Sequence, residues 1–226
     1  MNTLLVIPAY NEEDCIVSTI EELRSVAPDR DFIIVNDGSS DKTEELCRAH
    51  GYPHLSLPIN TGLTCGFQTG LKYALEHGYD AVMQFDADGQ HMPHFVDELI
   101  RDMEKTGADI VIGSRFVTER KSFSARMIGS RLISGIIRLT TGARIADPTS
   151  GLRLFSKPVM EQLASKRDFG PEPDSIAYLV RHGAKVAEVQ VKMRERTSGQ
   201  SYLTAFKSVQ YMLRACVSIL FVQWFR

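Results

Sequence analysis

The chain has 226 residues, 43% of them hydrophobic and 24% charged, proportions that suit one soluble α/β domain with a full core and exclude a fibrous or low-complexity protein. Cys15, Cys47, Cys65 and Cys216 are scattered with no C-x-x-C pair, which excludes a zinc-finger pattern or a disulfide framework and predicts a reducing, cytoplasmic setting. The net charge of −2 hides an asymmetry: residues 1–114 carry 7 Lys and Arg against 20 Asp and Glu, and residues 115–226 carry 19 against 8, so an acid-rich half able to hold a cation adjoins a basic half able to hold anions.

Thr3–Pro8 is a short apolar run and predicts the first strand; the opening MNTLLVIPAYNEE lacks the basic flank and long apolar region of a secretory leader. Glu12–Val26 predicts a helix, with Ile16, Ile20 and Leu23 near helical spacing. Phe32–Val35 is the second strand, and the turn Asp37-Gly-Ser-Ser-Asp41 supplies a cap for a helix over Glu44–His50. His54–Leu57 predicts a short strand, Cys65–Glu76 a helix and Asp80–Phe85 a strand. Pro93 opens a helix to about Lys105, and Asp109–Ile112 is a further strand.

Beyond Arg115 the pattern changes. Residues 116–144 read as helical and basic, with Arg120, Lys121, Arg126, Arg131, Arg138 and Arg144. ADPTSGLRLF is a turn into a strand, Pro173–Arg181 a helix, Lys185–Val191 a strand and RERTSGQS a polar loop; a last helix runs from Tyr202. No repeat or long linker divides the chain, so a single domain over 1–226 with a basic C-terminal helical elaboration is expected.

Strand–helix alternation predicts a Rossmann-like, mostly parallel sheet flanked by helices, with right-handed crossovers. Ligands of such sheets bind beyond the carboxyl ends of the strands. Tyr10, Glu12, Asp37, Asp86, Asp88 and Arg115 all fall there. The stretch QFDADGQHMPH sets Asp86 and Asp88 two residues apart at a strand end. Two carboxylates held close resist joint ionisation unless a cation shares them. A hard divalent ion, Mg²⁺ or Mn²⁺, meets that need with one or two protein carboxylates, completing its shell with water and phosphate oxygens. Alternate residues point the same way, so Asp86 and Asp88 face one ligand while Ala87 points elsewhere, and Gln90 adds a neutral oxygen.

VIPAYNEE, IIVNDGSSDKT, NTGLTCGFQTGLKYA, FDADGQHMP, VIGSR, DPTSGLRLF and RERTSGQS occur in this order, and together they resemble the family 2 glycosyltransferases of GT-A fold. The branch most resembled is that of the dolichyl-phosphate mannose synthases and bacterial polyprenyl-phosphate glycosyltransferases. The resemblance implies that Pro8, Ala9, Tyr10 and Glu12 line a nucleotide pocket, with Asp37 accepting a hydrogen bond from the base. Asn36 stands where the family often carries a second acid. Asp86, Ala87 and Asp88 would form a metal–diphosphate shelf completed by Gln90, and Arg196 would close over the donor diphosphate. Arg115 and Arg126 match arginines that would receive an acceptor phosphate; Tyr202 replaces a lysine common among the mannose synthases. Residues 1–114 would then be the nucleotide-sugar and metal half and 115–226 the acceptor half.

The expected reaction is inverting displacement of a nucleoside diphosphate, UDP or GDP, from a hexosyl group by a polyprenyl or dolichyl phosphate oxygen, with Asp88, Arg115, Arg126 and Arg196 as the catalytic set. Were the acceptor a sugar hydroxyl, Glu172 or Asp174 of FGPEPD would have to take its proton. A nucleotidyltransferase or silent nucleotide-sugar binder is the reading from another class; the acidic, glycine-free loop PAYNEED argues against the former.

Other features carry blander expectations. His91 and His94 suit capping or surface roles, and Gly62, Gly66 and Gly70 suit backbone fit rather than a dinucleotide fingerprint. Asp147 and Pro148 make a turn, with an acceptor role for Asp147 as the alternative. Ala215–Phe225 lacks charge but is too short to span a bilayer; Phe221, Trp224 and Phe225 beside Arg214 and Arg226 suit a helix lying on the inner face of a membrane, the rival being an ordinary core helix or one that forms a homodimer, and a small membrane-protein partner is also open. No nucleic-acid partner is expected.

Overall fold

The computed structural model describes residues 1–121, 125–166, 169–194 and 205–222, the side chains of 125, 126 and 205–209 apart. In chain order the elements are β1 (Thr3–Ala9), α1 (Ile16–Val26), β2 (Asp31–Asp37), α2 (Thr43–Ala49), β3 (His54–Leu57), α3 (Leu63–Glu76), β4 (Ala81–Gln84), α4 (Val96–Thr106), β5 (Ile110–Ser114), α5 (Ala125–Thr141), β6 (Arg153–Ser156), α6 (Lys157–Ser165), α7 (Pro173–Arg181), β7 (Val186–Gln190) and α8 (Ala205–Leu220). A 3₁₀ turn at Pro93–Phe95 leads into α4.

Period-two alternation in the strands decides which side each helix covers. Leu4 and Val6 of β1 face one way and join Val35, Val82 and Ile112 in a core closed by residues of α3 and α5 to α8. Leu5 and Ile7 face the other way and pack with Ile16, Ile20, Cys47, Leu99 and Met103 of α1, α2 and α4. Such fully buried aliphatic side chains each contribute about 1.5–3 kcal/mol through removal from water.

The sheet order is β3-β2-β1-β4-β6-β5-β7. All pairings are parallel except those of β6, which runs antiparallel to both β4 and β5. The insertion of β6 departs from simple βα alternation. Its reversal brings its N-terminal end, and the 147–151 turn before it, to the edge where β1, β2, β4, β5 and β7 finish. From β1 the chain moves to β2 on one side, while β4 lies on the other, so the crevice between β1 and β4 is a topological switch point.

Two expectations need correction. Residues 116–121 are turn and irregular rather than helix, and α5 begins at Ala125. The helix α6, absent from the sequence reading, follows β6 directly, with Ser156 extended at its N-cap and Pro158 in its first turn. Backbone fit does explain Gly70. A Cβ there would lie 2.2 Å from Val6 Cγ1, so the missing side chain lets α3 rest on β1.

Candidate active site

The loops after β1 and β2 are clasped together. Asn11 adopts φ 54°, a left-handed conformation that asparagine tolerates. Its N–H donates to Ser39 Oγ at 3.0 Å, and its Oδ1 accepts from the Ser40 N–H at 2.8 Å. The Glu13 N–H donates to Asp41 Oδ2 at 3.0 Å, and Glu13 Oε2 accepts from the Lys42 N–H at 3.0 Å. The Glu12 N–H reaches Thr43 Oγ1 at 2.9 Å. This leaves Tyr10 exposed at the mouth, Pro8 half-buried and Ala9 buried beneath.

Asn36 and Asp37 point to opposite sides of the sheet and are both buried. Asn36 Nδ2 donates to Glu44 and Ser56 at 3.4 and 3.3 Å. Asp37 takes three hydrogen bonds from the chain leading into α3: Thr61 N–H at 2.8 Å, Thr61 hydroxyl at 2.6 Å and Gly62 N–H at 2.7 Å. It therefore organises the loop at the start of α3.

At the end of β4, Asp86 and Asp88 are both partly exposed while Ala87 is buried in the α1/α4 core, as alternation requires. Asp86 Oδ1 accepts from Gln84 Nε2 at 3.0 Å, and Asp88 Oδ1 accepts from the Gln90 N–H at 3.1 Å. Among the described residues no group of three or more His, Cys, Asp or Glu could cage an ion. The hard oxygens of Asp86, Asp88 and Gln90 fit Mg²⁺ or Mn²⁺ of the kind that completes its shell with water and phosphate. Gln90 is bound to the segment after β7: the Arg194 N–H donates to the Gln90 carbonyl at 3.0 Å, and Gln90 Nε2 to the Arg194 carbonyl at 3.3 Å. Arg194 itself forms a bidentate pair with Glu22 at 2.6 and 2.7 Å, which holds Glu22 below its ordinary pKa. Arg196 lies outside the described residues, as does Tyr202.

His91 is not on the surface. Its ring is buried edge-on to Phe85, centroids 5.5 Å apart, and its Nδ1 accepts the Asp86 N–H at 2.9 Å. His94 is exposed.

Past β5, the Arg115 guanidinium is engaged by Asp147, with Nε to Oδ2 at 2.7 Å and Nη2 to Oδ1 at 2.9 Å. Burial pushes the Asp147 pKa up, but the Arg115 hydrogen bonds and charge outweigh it and hold the carboxyl below its usual value. Beside this pair a cleft of about 530 Å³ is lined by Phe116, Glu119, Arg120, Lys121, Arg131 and Ser134. Burial lowers the Lys121 pKa, and its ammonium donates to Ser130 Oγ at 2.8 Å. Of Arg126 only its helical place in α5 is described.

Sequence reasoning missed Arg153, which opposes Gln84 in the sheet and is fully buried. Its Nη1 donates to the Pro171 carbonyl and its Nη2 to the Pro148 carbonyl at 2.7 Å, tying together the two loops flanking the site. Its only signal was a charged residue inside the apolar run LRLF. Glu172 and Asp174 face α8. Glu172 accepts from the Tyr211 hydroxyl, and Asp174 Oδ2 from the Ser218 hydroxyl at 2.6 Å.

Residues 4–164 match glycosyl transferase family 2. The chain belongs to this family. It is 30% identical to an undecaprenyl-phosphate mannosyltransferase of Micrococcus luteus over 90% of this chain and 88% of that one. It is 31% identical to a UDP-N-acetylglucosamine–dolichyl-phosphate N-acetylglucosaminyltransferase of Methanococcus voltae, covering 83% and 84%. In fold it is similar to glucosyl-3-phosphoglycerate synthase from Mycobacterium tuberculosis, solved with Mn²⁺, UDP and glucosyl-3-phosphoglycerate. The TM-score is 0.69 at 22% identity, over 98% of this chain and 79% of that one. The family 2 enzyme described here thus has a GT-A fold, and its seven-stranded sheet is mixed by one reversed strand.

Proposed function

We propose that this family 2 glycosyltransferase moves a hexosyl group, with inversion, from a UDP- or GDP-sugar to a polyprenyl or dolichyl phosphate. The observation that carries the reading is the contrast across one sheet edge. Partly exposed Asp86 and Asp88 stand at the end of β4, and a basic cleft with Arg120, Lys121 and Arg131 lies past the end of β5. The curated relatives named above support the acceptor class by their own activities.

The nucleotide is assigned to the mouth made by Pro8, Ala9, Tyr10 and Glu12, with Asn36 and Asp37 beneath it shaping the β2 and α3 loops. Asp86, Asp88 and Gln90 would hold Mg²⁺ or Mn²⁺, which when bound would supply positive charge toward the leaving diphosphate. Arg196 is assigned to the same diphosphate. Arg115, fixed in direction by Asp147, and Arg126 orient the acceptor phosphate. That oxygen is already anionic, so no general base is required. A lipid phosphate also suits Glu172 and Asp174, because both carboxylates already accept hydrogen bonds from hydroxyls of α8.

No helix among the described residues is long and apolar enough to cross a membrane. Instead α5 exposes Ile128, Leu132 and Leu139, and the adjoining α8 exposes Leu213 and Val217, followed by Phe221. Residues 125–144 and 205–226 contain no acid. Basic helices with apolar outer stripes suit an anionic membrane surface, and we assign the enzyme a peripheral position there. Trp224 and Phe225 lie outside the described residues.

The test is thermal stabilisation by a panel of UDP- and GDP-sugars with and without Mg²⁺ or Mn²⁺. One nucleotide series should stabilise only with metal, and Asp88→Ala should abolish the effect. At a ligand concentration 100 times Kd the expected stabilisation is about 2.7 kcal/mol. Equal stabilisation in chelator would defeat the metal site, and transfer to a sugar hydroxyl but not to a polyprenyl phosphate would defeat the acceptor.

A further inference from the structure

Asp86 is held at both its backbone and its side chain. The ring of His91 meets it twice: Nδ1 accepts the Asp86 backbone N–H at 2.9 Å, and Nε2 lies 3.4 Å from Asp86 Oδ2. Because Nδ1 is the acceptor, the ring proton sits on Nε2, which lies near the carboxylate without hydrogen-bond geometry. The other oxygen, Oδ1, accepts from Gln84 Nε2 at 3.0 Å. Gln84 and His91 are both buried, and His91 is further fixed by Phe85 and by a backbone bridge to Met193.

The third wall of this mould is an absence. Gly151 ends the DPTSG turn, and a Cβ built there would lie 2.6 Å from Asp86 Oδ2 and 3.3 Å from both His91 Cε1 and Nε2. Gly151 is not among the positive-φ glycines, so its backbone would accept a side chain; what forbids one is the space that the carboxylate occupies. The turn is held in place independently. Ser150 Oγ donates to the Gly113 carbonyl at 2.6 Å, and Arg153 holds the Pro148 carbonyl at 2.7 Å.

We infer that His91 and Gly151 are positioning residues that set the direction of the Asp86 carboxylate: His91 anchors its backbone N–H and packs against one oxygen, and Gly151 leaves the room into which that oxygen turns. Groups that orient a metal-binding carboxylate affect metal affinity strongly, because an ion with near-ideal octahedral demands tolerates little displacement of its ligands. The inference rests on the reading of Asp86 as a metal ligand. It adds that two motifs distant in sequence, the histidine of FDADGQH and the glycine of DPTSG, act on one carboxylate.

The experiment measures Mn²⁺ binding directly, from loss of the free-ion EPR signal, in the presence of UDP and, separately, GDP. The proteins are wild type, His91→Phe, His91→Asn, Gly151→Ala and Asp86→Asn, each paired with its urea unfolding midpoint. His91→Phe and Gly151→Ala should weaken Mn²⁺ affinity about 10-fold or more. His91→Asn should recover part of the loss, since its carbonyl can take the Asp86 N–H. It also serves if the phenylalanine variant does not fold, and Gly151→Ala tests the same carboxylate by a different route. Wild-type Mn²⁺ affinity in both His91→Phe and Gly151→Ala overturns the inference. If Asp86→Asn alone loses binding, the metal reading survives without the mould; if Asp86→Asn also binds as wild type, both fall. A loss that follows only the unfolding midpoint, with no gain in His91→Asn, likewise overturns it.

Discussion

Asp147, whose side chain is entirely buried, is bracketed by Arg115 from two directions: the guanidinium forks onto both of its oxygens at 2.7 and 2.9 Å, and the Arg115 backbone N–H adds a third contact at 3.2 Å. The arginine is therefore fixed in direction, with little side-chain freedom left. Removing it would leave a buried carboxylate without its counter-charge, a change that typically costs about 3–5 kcal/mol.

The sign of the pH dependence separates that pair from a surface contact. In the wild type the Asp147 pKa is lowered, so its contribution is present above the unfolded carboxylate pKa of about 3.9 and is lost as pH falls through the folded value. In Arg115→Ala, burial is left as the main influence, and the folded pKa rises. The variant should then lose stability as pH increases from about 4 toward 7, opposite to the Asp147 contribution in the wild type. Urea unfolding across that range measures it, and parallel profiles for the two proteins would contradict the assignment.

Glu172 gives the reverse case. Burial is the main cause of its raised pKa, partly offset by the hydrogen bond from the Tyr211 hydroxyl. A carboxyl raised in the fold favours folding at low pH and opposes it as pH climbs above the unfolded glutamate pKa of about 4.3. Glu172→Gln keeps an acceptor for Tyr211 and removes the charge. It should raise stability at neutral pH and flatten the profile between about pH 4 and 7. Transfer to a polyprenyl phosphate should stay within a few-fold of wild type. A fall of about 10²–10⁴ would instead mark Glu172 as a general base and restore the sugar-hydroxyl acceptor.

The carboxyl-edge site was legible because strand ends follow from period-two runs, and loops after parallel strands must gather at one edge. Asp86, Asp88 and the inward-facing Ala87 needed no more than that. The reversal of β6 was not legible, since alternation gives a strand's faces but not its direction; only pairing with β4 and β5 decides it. Helix α6 did carry signals, Ser156 before Pro158 and apolar Val159, Met160 and Leu163, but in nine residues directly after a strand they were too brief to stand out. His91 does take a backbone N–H, the capping role expected of it, but its burial was not legible. Its burial depends on Phe85 and on the approach of Met193, about a hundred residues away in sequence.

Two glycines with similar crowding should respond differently to alanine. At Gly70 the new Cβ would meet Val6 Cγ1 at 2.2 Å and Cγ2 at 2.7 Å, on a stiff β-branched side chain in a central strand. At Gly129 it would meet Met212 Sδ at 1.7 Å, on a flexible thioether that can swing aside. Both substitutions gain about 0.8–1 kcal/mol of helix propensity. Gly129→Ala should thus be near neutral, whereas Gly70→Ala should lose about 1–3 kcal/mol net of that gain through overpacking. Thermal melts of the two variants decide it, and equal losses would mean that α5 and α8 pack as rigidly as α3 on β1.

The apolar stripes of α5 and α8 yield the last prediction. Leu132 and Leu139, seven residues apart, share one face of α5 and are 52% and 80% exposed, and Val217 on α8 is 52% exposed, so none contributes much to the core. Replacing Leu139 and Val217 with glutamate should change the unfolding midpoint little, since exposed substitutions usually stay within about 0.5 kcal/mol each. It would place negative charge where Arg138 and Arg214 stand beside the stripes. Vesicle co-sedimentation reads the result. Wild type should bind vesicles rich in phosphatidylglycerol more than neutral phosphatidylcholine vesicles, with binding weakened by salt, because the basic flanks act through screened attraction. The double variant should lose most of that binding while keeping turnover of a short-chain, water-soluble polyprenyl phosphate. Undiminished vesicle binding would move the membrane contact elsewhere on the chain. A wild-type dimer that the variant dissolves, with no vesicle binding in either protein, would make these stripes a homodimer interface instead.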